Sequence, residues 1–473
     1  AVQSDYIRRR FDCSDFYLVY YPYILRTFGK RGSGILSEKT ENELTDCLLG
    51  FRYWIDEPGN DAMWFWSENH ALMFHTCQPL AGELFPDEVF TNSGLTGRQM
   101  QAKAKNMLYD WFVTFRKEGF TEWNSSPYLP IDTLGFGSLY AFAQDPAMRE
   151  LGREGMDFAY YLLAVHSQQG IFASSSGRTY IKEQFGNWSN CPSGLSWIGY
   201  GYGVPGHAGK GITSYCLSDY EPPKEFAQWF SIPRGKEMIC QTTQGNDGYV
   251  DLYTYKTADY MMTSANDFHP GEPGHQENPF QLTFNAVAQL WVTHPGERVL
   301  FGAARPSYWA GNGTLPKVNQ YKAFAGLIYD IAPEHPVDFT HLYLPSMEFD
   351  RCEVEDKWAF VQLGSAYAAV YCSNGMRMQD FGSNKDRECI AEGRRCIWLV
   401  RAAQADEFAA FEDFKAAMRG AALDADAEGR RYRFVDPVYG ELRCQWGETL
   451  YVNDAPMQYS GFDNYGKLTM QEK

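Results

Sequence analysis

The hydrophobic period of this chain changes once, and that change limits the folds open to it. From Ser14 to about Gln168, amphipathic stretches recur at roughly 25 to 35 residue intervals, the pattern of helices presenting one apolar face. The spacing predicts helices over roughly 14–28, 38–55, 62–84, 96–118, 126–144 and 147–168, with stop signals at Gly29, Pro58, Pro86, Gly119, Asp145-Pro146 and Gly170. Successive helical hairpins of this kind form an all-helical layer. Curled into a toroid, they would offer a concave groove long enough for a polymer. Between Ser174 and Arg234 the pattern dissolves into Gly-, Ser- and aromatic-rich sequence, including Tyr200-Gly201-Tyr202-Gly203-Val204-Pro205-Gly206-His207, read as ordered loops plus one short helix. From about Cys240 short alternating runs take over: Gly248–Thr257, Gln281–Val292, Trp358–Leu363, Tyr367–Cys372 and Cys396–Ala402. One helix, about Ala405–Arg419, interrupts them. Helices followed by strands imply two domains, a helical one over 1–237 and an antiparallel β one over 238–473.

The most chemically loaded segment is Trp64-Phe65-Trp66-Ser67-Glu68-Asn69-His70-Ala71-Leu72-Met73-Phe74-His75. It puts Glu68, Asn69, His70 and His75 into an otherwise aromatic and apolar helix, where polar side chains cost free energy unless paired or employed. On a helix, Glu68, Leu72 and His75 share a face, while Asn69 and His70 point about 100° and 200° around from Glu68, so the four cannot all face one ligand. One reading is a buried helix whose polar groups bridge its neighbours. The other is a sugar cleft, since Trp66 and its aromatic neighbours suit the apolar faces of pyranose rings.

Composition narrows the partners. A formal charge of −17 with scattered Lys and Arg argues against nucleic acid or an anionic membrane surface, because no continuous basic patch balances phosphate charge. No apolar run approaches the roughly 20 residues of a membrane-spanning helix. Aromatic residues make up 16% of the chain, with 13 Trp and 31 Tyr, an excess that fits large cores or glycan-contacting surfaces. Eleven cysteines, an odd number without paired short spacing, read as reduced thiols rather than a disulfide framework. They favour a cytoplasmic setting; a secreted or periplasmic one follows if the N-terminus has been processed. Oligomeric state has no signature here.

Three further constellations carry chemistry. Gly119-Phe120-Thr121-Glu122-Trp123-Asn124-Ser125-Ser126-Pro127-Tyr128 precedes a helix whose start is marked by Ser126 and Pro127; Glu122, Asn124 and Tyr128 are placed there to face a groove, or else to cap and pack. Ser176-Gly177-Arg178-Thr179-Tyr180 offers a guanidinium able to grip a carboxylate through two parallel hydrogen bonds. In the β half, Asn266-Asp267-Phe268-His269-Pro270-Gly271-Glu272-Pro273-Gly274-His275-Gln276-Glu277-Asn278 carries two histidines in a Gly/Pro-rich loop. The aromatic loop Arg305-Pro306-Ser307-Tyr308-Trp309-Ala310-Gly311-Asn312-Gly313 is placed to cover a groove through Trp309.

This order of parts, Asn69-His70, then Tyr128, then a strand half with His269 and His275, resembles the heparinase II/III-like polysaccharide lyases and the related alginate lyases. The resemblance implies an N-terminal incomplete (α/α) toroid followed by an antiparallel β-sandwich. It also implies β-elimination on an acidic, uronate-containing poly- or oligosaccharide: Asn69 and His70 neutralise the substrate carboxylate; Tyr128 acts as base and acid; His269 or His275 is an alternative base. Tyr180 is the reserve candidate for that role. Read from its own chemistry, Arg178 is a further candidate for neutralising the carboxylate. Glu68, Trp66, His75, Glu122, Asn124, Arg178, Tyr180 and Trp309 are the expected substrate contacts. No cofactor is expected. The family's sandwich motif of closely spaced histidines, often with a metal, is approximated only by His275-Gln276-Glu277, and Pro273 stands where a partner His is expected, so a structural divalent metal there is the open alternative. Two other functions fit the same residues. A glycoside hydrolase would use two of Glu68, Glu122 and Asp132 across the scissile bond, and a non-catalytic glycan-binding protein would use the aromatic groove alone.

Overall fold

The computed structural model describes residues 2–61, 63–185, 190–205, 211–245 and 249–473; Gly206, His207 and Gly248 of the segments named above lie outside them. Among the described residues the α-helices are α1 (Val2–Arg8), α2 (Ser14–Leu18), α3 (Tyr20–Phe28), α4 (Glu38–Gly50), α5 (Glu68–Leu84), α6 (Gly97–Glu118), α7 (Leu129–Phe142), α8 (Pro146–Val165), α9 (Ile181–Gln184), α10 (Cys191–Tyr200), α11 (Ile212–Cys216) and α12 (Phe411–Gly420). Strands begin at Lys236, beside the expected change of period. The chain forms two compact units that interleave in sequence. The first takes residues 1–117, 128–161 and 208–223, the second 118–127, 162–207 and 224–473.

In the first unit the helices follow their apolar spacing. Along α6 the buried side chains are Met100, Ala104, Leu108, Phe112 and Phe115, a stripe at helical intervals. Helix α5 is buried on nearly every side from Asn69 to Leu84, with only Ala71 and Glu83 partly open, as expected of a helix without an amphipathic face. It meets α7 so closely that a Cβ on Gly135 would lie 3.1 Å from the Leu72 side chain. Phe16, Leu18, Phe51, Tyr53, Phe65, Phe74 and Leu134 centre its core.

Several boundaries differ from the periodic reading for identifiable reasons. The stretch 14–28 is two helices, because Pro22 has no N–H for the Leu18 carbonyl. Helix α4 stops at Gly50, where Phe51 turns extended (ψ 148°) and the buried Arg52 donates to the Glu57 and Ile55 carbonyls at 3.0 and 2.9 Å. Trp64 sits at φ 51°, in the left-handed region, so α5 starts at Glu68 rather than near 62. Helix α7 starts at Leu129, not at Ser126, because Asn124 is also left-handed (φ 47°) and 118–127 packs in the other unit. Among the described residues, the 174–234 stretch holds the three short α-helices α9, α10 and α11 and a 3-10 helix over Lys224–Trp229, rather than one short helix.

The second unit is antiparallel throughout its paired strands. Among the described residues, a nine-stranded sheet runs edge to edge through Arg377–Met378, Glu388–Glu392, Phe339–Tyr343, Gln289–Thr293, Phe280–Thr283, Met261–Asn266, Val250–Lys256, Lys236–Gln244 and Lys467–Glu472. A six-stranded sheet orders Lys317–Tyr321, Phe324–Asp330, Arg395–Gln404, Ala366–Cys372, Trp358–Leu363 and Arg351–Val354; a five-stranded one covers Leu423–Pro456. The expected run Gln281–Val292 is two strands, divided where the Asn285 side chain accepts the Val287 and Ala288 N–H groups at 2.9 and 2.8 Å. One core joins all three sheets and α12 through residues such as Tyr255, Leu282, Phe324, Val400, Phe414 and Phe434. Buried from both sides, the strand Ala366–Cys372 is apolar throughout instead of alternating. All eleven cysteines are free thiols, and no helix among the described residues is long and apolar enough to cross a membrane.

Candidate active site

The polar residues at the start of α5 divide by burial. Ahead of the helix, Trp64 and Trp66 are 50% and 65% exposed, with ring centroids 5.3 Å apart, so two apolar faces stand in water. Glu68 opens the helix, and its carbonyl accepts the Trp111 indole N–H at 3.3 Å. Asn69 and His70 are buried. The His70 ring stacks on Phe16 at 4.6 Å, and its Nδ1 lies 2.9 Å from Oδ2 of the wholly buried Asp15. Burial opposes charge on this imidazole, but hydrogen bonds with Asp15 and Cys13 outweigh it and push the ring up to about 10. His75 behaves oppositely: burial, helped by Lys103, holds it down at about 3, against Trp54 at 4.3 Å. His75 is therefore a neutral core histidine, and its ring offers no face to a ligand here. Tyr128 precedes α7, its carbonyl accepting the Ile131 and Asp132 N–H groups at 2.8 and 2.9 Å and its ring half-buried against the helical core. Asp132 is interior, 3% exposed.

The second unit gathers a different set. Three segments distant in sequence are joined by backbone hydrogen bonds: Gly177 N–H to the Trp123 carbonyl at 2.8 Å, Ser176 N–H to Asn278 at 2.8 Å and Thr179 N–H to Gln276 at 3.1 Å. Gly177 is required, because a Cβ there would lie 2.6 Å from the Trp123 indole nitrogen. This joint sets Arg178 beside Glu122, Nη1 to Oε1 at 3.1 Å, and its Nη2 3.5 Å from the Tyr180 hydroxyl. A second guanidinium, Arg305, lies 5.6 Å from the Tyr180 ring centroid, and that of Arg178 lies at 5.8 Å. His275, at the same place, is held below the usual histidine range by partial burial and by the charges of Arg178 and Arg305, against the pull of Glu277. Asn124 is 2% exposed, and neither end of its amide has a hydrogen-bond partner among the described residues. A buried amide in that state is costly unless it has work to do.

One sequence expectation ends differently. Trp309 is 1% exposed and stacked on His341 at 4.3 Å within a core of Trp291, Phe339 and Tyr343, so it packs the sheet rather than covering a groove. His269 is left-handed (φ 46°), set between Tyr249 and Phe268 with its Nδ1 3.4 Å from Glu272. Arg305 was legible only as part of an aromatic loop; nothing local to it signals Tyr180. Among the described residues, the His269–Glu277 loop supplies no group of three ligand side chains within metal-binding reach.

The arrangement pairs a phenol with two guanidinia, a carboxylate, a neutral imidazole and an unsatisfied amide. Guanidinia suit a substrate carboxylate. No family model matches this chain, and no curated protein does. Among solved structures it is similar to a chondroitin AC lyase mutant from Streptomyces coelicolor A3, at 11% identity over 93% of this chain and 73% of that one, with a TM-score of 0.41.

Proposed function

We propose that this protein is a lyase that cleaves an acidic, uronate-containing glycan by β-elimination, on helices arranged as an incomplete (α/α) toroid and sheets arranged as a β-sandwich. The observation that carries the reading is the Tyr180 hydroxyl beside Arg178, with Arg305 at the same ring. A uronate C5 proton is weakly acidic, and its removal becomes feasible when the neighbouring carboxylate is neutralised so that the enolate charge is stabilised. Arg178 and Arg305 supply that neutralisation, with the Asn124 amide as a further donor. The Tyr180 oxygen, acting as base, takes the C5 proton; the electron pair forms the C4–C5 double bond; the C4–O bond breaks, and the same Tyr180 oxygen returns the proton to the leaving oxygen. His275, kept neutral, is able to accept a proton in the same place. Asn69, His70 and Tyr128 are the rival assignment of the same roles within the helical unit, and the exposed Trp64 and Trp66 suit a sugar ring.

Tyr180→Phe and Tyr128→Phe separate the assignments, because each keeps the ring and removes only the hydroxyl. Formation of ultraviolet-absorbing unsaturated product from uronate polysaccharides is expected to fall by about 10²–10⁴ in Tyr180→Phe while binding persists. Loss in Tyr128→Phe alone would transfer the role to the helical unit. Reducing ends without unsaturation, abolished by Glu122→Gln, would mean a hydrolase, and binding without any product would mean a glycan-binding protein.

A further inference from the structure

We propose that the helical unit binds a zinc-class divalent cation through the Asp12 carboxylate, the Cys13 thiolate and the His70 imidazole. The inference stands apart from the proposed elimination and from the sandwich metal considered above, since all three residues lie at the α1–α2 turn and the first turn of α5. One ligand atom from each lies within 4.8 Å of the others, and His70 Nε2 is 3.8 Å from Asp12 Oδ1. A tetrahedral ion about 2.0–2.3 Å from each ligand sets neighbouring ligand atoms roughly 3.3–3.8 Å apart, so closure by about an ångström completes the site.

The surroundings of His70 are those of a metal ligand rather than of a packing residue. Its Nδ1 is tied to Asp15, which fixes the tautomer with the proton on Nδ1 and leaves the Nε2 lone pair facing Cys13 and Asp12; a carboxylate behind a ligating histidine does this at zinc centres. Phe16 stacks on the ring and fixes its plane. Asp15 is wholly buried, and its Oδ1 has no hydrogen-bond partner among the described residues. A lone buried carboxylate serving one histidine is a poor source of stability, but it strengthens a ligand whose far nitrogen holds a cation. Cys13 sits in the left-handed region (φ 67°) ahead of α2, a conformation that persists only where its surroundings impose it. Thiolate, imidazole and carboxylate together favour zinc over magnesium or calcium. Asp12, half exposed, leaves a fourth position open to water.

The test uses the full chain, stripped with a chelator and titrated with zinc and, separately, with cobalt. One equivalent of zinc and a thiolate-to-cobalt charge-transfer band are expected. Cys13→Ser should remove the band and weaken zinc binding at least about tenfold, and Asp15→Asn should weaken it about 10–100-fold, the range for carboxylates behind ligating histidines. Cys216→Ser, which removes an exposed thiol elsewhere, should change neither. His70→Ala leaves Asp15 buried without its partner and is open to misfolding, so Cys13→Ser and Asp12→Asn, on the accessible side, carry the decision. Absence of stoichiometric zinc, or zinc binding unaltered in both variants, overturns the proposal whether or not the protein eliminates uronates.

Discussion

His166 gives the sharpest quantitative prediction about pH. It is 1% exposed; its Nδ1 bonds the Thr254 hydroxyl at 2.8 Å, and its Nε2 has no partner among the described residues. Burial, with Lys256 adding to it, holds this imidazole down at about 3. Lys256 is itself buried, its Nζ given to the Ala164 and Trp229 carbonyls at 2.8 Å each. In the unfolded chain a histidine titrates near 6.5, so between about pH 6.5 and about pH 3 the unfolded state holds one proton more. Stability from the neutral ring is therefore complete above about 6.5 and is lost on acidification. At about 1.4 kcal/mol per pH unit, lowering the pH from 7 to 5 costs about 2 kcal/mol through this one group. His166→Asn keeps a donor or acceptor near the Nδ1 position and cannot titrate. Urea unfolding at pH 7, 6 and 5, followed by tryptophan fluorescence of the strand-rich unit, should show the variant losing about 2 kcal/mol less than the parent over that range. Parallel loss in the two proteins would refute the reasoning, because it would mean that His166 is protonated in the folded state or hydrated there.

Two further outcomes test the site's construction. Gly177→Ala should destabilise the strand-rich unit by about 1–3 kcal/mol in thermal or urea unfolding, and lower turnover with it, because the added Cβ lies 2.6 Å from the rigid, buried Trp123 indole. Trp66→Ala should leave stability within about 0.5 kcal/mol, since the ring is 65% exposed, while weakening glycan binding measured by calorimetry; unchanged binding would remove the Trp64–Trp66 pair from substrate recognition.

Much of the architecture was readable without coordinates because it is written in short-range period. The α6 stripe from Met100 to Phe115 and the strand Trp358–Leu363 lie where their spacing puts them, and the change from helix to strand falls at Lys236. Residue types at the candidate site were readable as well: Glu122, Asn124, Arg178, Tyr180 and His275 stand out as polar chemistry in Gly- and aromatic-rich loops. What periodicity could not supply is which of these meet. That Gly177 closes on Trp123, which sets Arg178 against Glu122 across 56 residues, follows from a backbone approach only glycine permits. That Arg305 reaches Tyr180, and that Asp15 lies behind His70 from 55 residues away, depends on loops whose course no local signal encodes. Burial also reversed readings made from residue type alone. His75 and Trp309 look like binding groups in sequence, yet are interior because the surfaces around them bury more apolar area with those rings inside. Local hydrophobic spacing determines the elements; the pairing of distant segments, and so the proton affinity and access of each polar group, is decided by how those elements pack.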